Sequence, residues 1–229
     1  MESALKAVIF DMDGLMFDTE HLSTKCWMQT GRDLGVPITE EFLCMARGLT
    51  RAEYQRYFEC HFQGKLDYRT AMDHKLKLFW ETIDRDGVEK KPGLERLLGY
   101  LVEHGIDTAL ATASRQETVE KYMAITGLQH VFSVKVFGDS GVKGKPHPDI
   151  FLRAAKELHA APEECIVLED SINGVHAGLN GGFHTIMIPD IAQPDKQLRD
   201  RVALCGKTLN DVVDFLEEKK DSRGRFLLK

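Results

Sequence analysis

Two aspartates, Asp11 and Asp13, stand directly after the apolar run Ala7 to Phe10, and Asp18 puts a third carboxylate within the same eight residues. Folding alone does not ask for this. The ends of other apolar runs carry similar groups: Thr112 and Ser114 follow Thr108 to Ala111, and Lys145, in GKPHPDIF, follows Val134 to Phe137. Glu169 and Asp170 follow Cys165 to Leu168. The set is carboxylates, hydroxyls and one lysine, with no His or Cys nucleophile. Carboxylates gathered in one place repel one another unless a cation neutralises them, and hard oxygen donors suit Mg²⁺. Residues i and i+2 of an extended segment project to the same side, so Asp11 and Asp13 can face one ligand. Taken singly, each residue has a plainer reading as a turn former, a helix entry, a solvated charge or a helix N-terminal charge. Together those readings need four coincidences at four strand ends. Asp18, with Thr19, reads as a helix cap and stays outside the catalytic set.

The elements that must position these groups follow from periodicity. The runs Ala7 to Phe10, Thr108 to Ala111, Val134 to Phe137, Cys165 to Leu168 and Thr185 to Ile188 have the length and composition of buried strands. Between them, Pro92 opens a segment with Leu94, Leu97, Leu98 and Leu101 on one face, ended by Gly105. Ser114 with Glu117 resembles a capping box ahead of Val119, Tyr122 and Met123, with Gly127 at the end. A further helix is expected from Pro148, burying Ile150, Phe151, Ala154, Ala155 and Leu158. The order βαβαβ predicts an α/β fold, a Rossmann-like parallel sheet with helices on both faces. In such sheets ligands bind beyond the carboxyl ends of the strands, where the chemical residues lie.

The interval from Thr19 to Lys91 is far longer than a crossover needs. It holds helical patterns over His21 to Leu34, Glu40 to Arg47, Arg51 to His61 and Tyr68 to Asp84, and no convincing strand. The expected organisation is a core formed by 1–18 and 92–229 and an inserted helical cap over 19–91. The tail Glu217 to Arg225 is expected to be a solvated helix end.

Composition narrows the partners. The net charge is -6, from 30 basic and 36 acidic residues with no dense Lys/Arg cluster, so nucleic acid is not expected. No apolar stretch approaches a membrane span and the N-terminus lacks the features of a secretory signal, which predicts a soluble, cytoplasmic monomer. Five cysteines, an odd number with no CxxC, predict reduced and mostly buried thiols.

Asp11-Met-Asp13-Gly14, Thr112, Lys145 and Glu169-Asp170, with the segments GKPHPDIF and LEDSINGV, resemble the four-motif signature of the haloacid dehalogenase superfamily. The similarity is to the branch of β-phosphoglucomutases and small-metabolite phosphatases and runs over nearly the whole chain. It implies that Asp11 is a nucleophile forming an aspartyl-phosphate and that Asp13 is the general acid and base. It implies that Mg²⁺ is held by Asp11, the Asp13 backbone carbonyl and Asp170, with Glu169 a ligand or an orienter. Thr112, the backbone at Ala113 and Lys145 would hold the phosphate. The dehalogenase branch lacks the second aspartate, so Asp13 disfavours it. The mutase pattern has a His ten residues after its second Asp, where this chain has Ser23. That loss favours water as the final acceptor and a phosphatase acting on a sugar, polyol or nucleoside monophosphate, the phosphosugar mutase remaining the alternative. The segment Gly48 to Arg51 resembles the mutase's phosphate-binding loop, which makes Arg51 a candidate substrate contact. His74 and Lys75 could face the site or the surface.

Overall fold

In a computed structural model of the chain, residues 3–46, 49, 51–222 and 224–228 are described, the side chains of Ser3 and Arg51 excepted. The chain divides into two compact units, residues 1–18 with 89–229 and residues 19–88.

The inserted unit consists of α1 (Thr19–Asp33), α2 (Glu40–Met45), α3 (Arg51–Phe62) and α4 (Tyr68–Asp86), and no strand lies among its described residues. Each start that can be read has a local cause. Thr39 accepts a hydrogen bond from the Phe42 N–H ahead of α2, and Asp67 accepts one from the Thr70 N–H ahead of α4. The helices enclose an aromatic core of Trp27, Phe42, Phe58, Phe62 and Tyr68, with α1 packed along α4. His74 bonds to Thr30 and approaches Asp33 of α1, and the Lys75 ammonium lies over the Phe79 ring at 4.6 Å.

In the core unit β1 (Ser3–Ala4) precedes β2 (Ala7–Phe10), which is followed after the insert by α5 (Leu94–Glu103), β3 (Asp107–Ala111), α6 (Gln116–Thr126), β4 (Val134–Val136) and α7 (Asp149–Glu157). Then come β5 (Cys165–Glu169), α8 (Ile172–Asn180), β6 (His184–Met187), α9 (Lys196–Arg199), β7 (Leu204–Cys205), α10 (Leu209–Glu218) and β8 (Leu227–Leu228). Six strands form a parallel sheet in the order β4-β3-β2-β5-β6-β7. Every residue of β2 and β5 is buried, as the continuous apolar runs require of strands covered on both faces. One face packs Ala7, Ile9, Ala109 and Val167 against Phe151, Ala154 and Ala177 of α7 and α8. From β3 the chain steps outward to β4, then returns past β2 to β5 and runs outward on the other side. The reversal falls at β2, and sheets of this kind take ligands beyond the carboxyl ends of the strands at such a point.

The chain leaves and re-enters the core along itself. The Asp18 N–H donates to Glu89 O at 2.9 Å, the Lys91 N–H to Met16 O at 2.8 Å, and Phe17 pairs antiparallel with Lys90. Residues 89–91 therefore count with the core.

Several expectations need correction. Ser114 does not cap α6: the helix starts one residue later than the pattern implies, so Arg115, which has no side-chain acceptor, takes the N-cap position, and the Ser114 hydroxyl bonds to Asp13. Pro92 does not occupy the first turn of α5, since Gly93, with φ of 92°, intervenes. Of the cysteines only Cys26 and Cys165 are buried, while Cys44 and Cys60 are exposed on α2 and α3. Glu217 and Glu218 are the exposed end of α10, but the helix stops there, short of the expected Arg225. After α10 the chain turns back through Asp221 to Arg225, Phe226 bridges Lys220, and β8 pairs antiparallel with β1. Phe226 is buried edge-on against the Tyr100 and His104 rings.

This packing predicts that Phe226→Ala destabilises the protein by about 3 kcal/mol. Urea denaturation checks it; a solvated tail would shift stability by no more than roughly 0.5 kcal/mol.

Candidate active site

Asp11 emerges from the centre of the sheet with its N–H bonded to Leu168 O at 3.0 Å, so the loop after β2 is pinned to β5. Its carboxylate is buried. Lys145, from the loop between β4 and α7, reaches back with its ammonium 2.5 Å from Asp11 Oδ1 and 2.5 Å from Glu169 Oε1. It also donates to Ala111 O at 3.3 Å, and its charge lies 4.9 Å from the centroid of the buried Phe151 ring. One ammonium thus joins the ends of β2, β3 and β5.

Glu169 is held at its other oxygen. Its Oε2 accepts from the N–H groups of Asp170 and Ser171 and from the Ser171 hydroxyl, at 3.1, 3.0 and 2.9 Å. The same hydroxyl accepts the Gly174 N–H and so caps α8. A Cβ at Gly174 would overlap the Glu169 carboxyl, and one at Gly14, whose φ is 80°, would overlap that of Asp170. Both glycines are therefore dictated by the approach of backbone to carboxylate.

Asp11, Glu169 and Asp170 are all buried and offer oxygens that lie within 4.8 Å of one another. Burial pushes the Asp11 carboxyl up, to about 8; the Lys145 ammonium pulls against this, while Glu169 and Asp13 add to it. Lys145 is itself held above the ordinary lysine value, since the two carboxylates outweigh the burial that disfavours its charge. Three buried carboxylates against this one ammonium leave an excess of negative charge, and an all-oxygen donor set of this kind fits a divalent cation such as Mg²⁺. Asp13 stands apart from the trio, its Oδ2 accepting the Ser114 hydroxyl at 2.6 Å.

Thr112 is buried at the end of β3. Its N–H donates to Val136 O, and its hydroxyl oxygen accepts the Ser114 N–H at 3.1 Å, which leaves the hydroxyl hydrogen for another acceptor. Ala113, between them, is exposed. Asp11, Asp13, Thr112, Lys145, Glu169 and Asp170 are thus linked at the carboxyl ends of adjacent strands. Gly48 and Thr50 lie outside the described residues, as does the side chain of Arg51, whose backbone opens α3. One partner escapes sequence reasoning: Ser171 bears on Glu169, for which its place directly after Glu169-Asp170 is a signal. Ser114, noted with Thr112 in the sequence, bears on Asp13.

Comparison with known proteins agrees with this architecture. A family model described as haloacid dehalogenase-like hydrolase matches residues 5–182. A Drosophila melanogaster protein named "Probable pseudouridine-5'-phosphatase" is 31% identical over 217 residues, 92% of this chain and 91% of that protein. Hexitol phosphatase A of Escherichia coli (strain K12) is 31% identical over 183 residues, 80% and 82% of the two chains. The crystal structure of a candidate β-phosphoglucomutase from Thermotoga maritima superposes with a TM-score of 0.78 at 26% identity, covering 93% of this chain and 99% of that one. Among the described residues no helix is long and apolar enough to cross a membrane. On the family match and these similarities, the chain belongs to the haloacid dehalogenase-like hydrolases.

Proposed function

We propose that the chain is a Mg²⁺-dependent phosphatase that hydrolyses a small phosphorylated metabolite, a sugar, polyol or nucleoside monophosphate, through an aspartyl-phosphate on Asp11. The observation that carries this reading is the Lys145 ammonium fixed 2.5 Å from a buried Asp11 carboxylate at the carboxyl end of β2. Phosphoryl transfer asks chiefly for positioning and for neutralised charge. Asp11 supplies an oxygen nucleophile, and Lys145 a positive charge that works against burial in favour of its ionised form.

The roles follow from where each group stands. An Asp11 oxygen attacks phosphorus while the bond from phosphorus to the leaving oxygen breaks, and Asp13 protonates that oxygen. Asp13, now a carboxylate, then takes a proton from water as the water oxygen attacks phosphorus and the Asp11 O–P bond breaks. Inorganic phosphate leaves and both aspartates return to their starting state. The Thr112 hydroxyl, the Ala113 N–H and Lys145 hold the phosphoryl oxygens. Asp11, Glu169, Asp170 and the Asp13 backbone carbonyl would hold Mg²⁺, which supplies charge that favours ionised Asp11 and offsets the charge on the phosphoryl group. By the resemblance, the inserted unit would serve as the superfamily's cap domain, and Arg51 would be a candidate substrate contact. The named activities of the relatives, on pseudouridine 5'-phosphate and on hexitol phosphates, support the substrate class.

One observation keeps a second reading, phosphosugar mutase, in view: the similarity to the Thermotoga structure. Ser23, where the mutase pattern has His, supports water instead as the acceptor.

Asp11→Asn should lower turnover by on the order of 1,000-fold or more and leave no phosphoenzyme. Asp13→Asn should lose roughly 100- to 10,000-fold on alkyl phosphates, yet with an aryl phosphate should trap phosphate on Asp11, seen as a mass increase of the intact protein. Equal losses on both substrate types would refute the acid/base assignment.

EDTA should abolish phosphate release and Mg²⁺ restore it, while Ca²⁺, with looser and larger coordination, should inhibit. Full activity in EDTA would remove the metal site. β-Glucose 1-phosphate with a trace of its 1,6-bisphosphate should give inorganic phosphate; accumulation of glucose 6-phosphate would promote the mutase.

A further inference from the structure

Ser114 stands one residue ahead of Arg115, the N-cap residue of α6, and takes no part in capping that helix. Its hydroxyl crosses to the neighbouring strand end and donates to Asp13 Oδ2 at 2.6 Å. The backbone of Ser114 is fixed on both sides. Its N–H donates to Thr112 Oγ1 at 3.1 Å, and its carbonyl accepts the Gly138 N–H at 2.9 Å, so the residue is strung between the ends of β3 and β4. A serine so held cannot follow a moving carboxylate; the carboxylate is registered to it. Both residues are only partly exposed, so water competes little for the bond.

We propose that Ser114 is a positioning residue for Asp13. It fixes the rotamer of the carboxylate through the bond to Oδ2. This goes beyond the phosphatase reading and rests on it, since it needs Asp13 to exchange protons with the leaving group and with water. Ser114 itself touches no reacting atom. The hydroxyl ties the orientation of Asp13 to Thr112, so the proton donor and the phosphate-holding hydroxyl share one frame. A misplacement of about 1 Å at such a donor can cost on the order of 100-fold.

The test compares an alkyl phosphate, glycerol 3-phosphate, with 4-nitrophenyl phosphate, whose leaving group needs little protonation. Ser114→Ala should lower kcat on the alkyl ester by roughly 10- to 100-fold and on the aryl ester by no more than about 3-fold, with KM unchanged for both. Ser114→Thr, which keeps the hydroxyl, should recover most of the alkyl activity, and thermal melting should show both variants folded. Equal losses on the two esters, a rise in KM without a fall in kcat, or no loss at all would overturn the proposal. Asp13→Asn is measured alongside. If it separates the two esters and Ser114→Ala does not, only the positioning role fails. If Asp13→Asn does not separate them, the acid/base reading fails and the positioning role falls with it.

Discussion

The site depends on one ammonium placed among carboxylates. Lys145 is nearly as buried as the groups it serves, with a side-chain exposure of 10% beside 8% for Asp11 and 1% for Glu169. Groups so far from water depend on their partners: taking away the ammonium leaves the carboxylates buried and uncompensated, which costs more than the pair contributes. This makes the positions of Asp11, Lys145 and Glu169 mutually determined. It also accounts for where β2, β3 and β5 end, because their termini share a single cation.

Around this pairing the chain packs with little slack. The two glycines whose Cβ atoms would strike Asp170 and Glu169 let helix and turn backbone lie against the carboxylates. Ser171 serves twice, capping α8 and donating to Glu169, so the start of that helix and the orientation of the glutamate are one event. Ser114 is used in the same double way, its backbone anchored to two strand ends while its side chain anchors a third. Rigidity of this kind suits chemistry that works by pre-set charge instead of by movement at the reacting centre.

Much of this was legible in the sequence because the central strands are short, continuous apolar runs bounded by turn residues, a pattern that a strand covered on both faces produces directly. The residues at their carboxyl ends could be read in the same way, since parallel sheets put ligands there. What remained hidden involved competition between local and distant partners. Ser114 looks like a cap because the capping pattern is local, whereas the Asp13 carboxylate that claims it is 101 residues away. Helix α8, INGVHAGLN, contains two glycines, each costing about 1 kcal/mol relative to alanine, and forms because close packing on Glu169 and Thr185 requires them. The strands β1, β7 and β8 have two residues each, too short for a period to show. Phe226 and Leu228 in the tail likewise give no repeat, and only their burial reveals the return of the chain to β1.

The antiparallel pairing of residues 16–18 with 89–91 sets the exit and re-entry points of the insert one strand width apart. A loop whose ends are already clamped together in the host adds little closure entropy to the host, whatever its length, since that cost grows only slowly with added residues. Residues 19–88 can therefore be lengthened, shortened or exchanged with little thermodynamic effect on the carboxylate cluster. Under the proposed function, such changes would leave the chemistry of the core untouched.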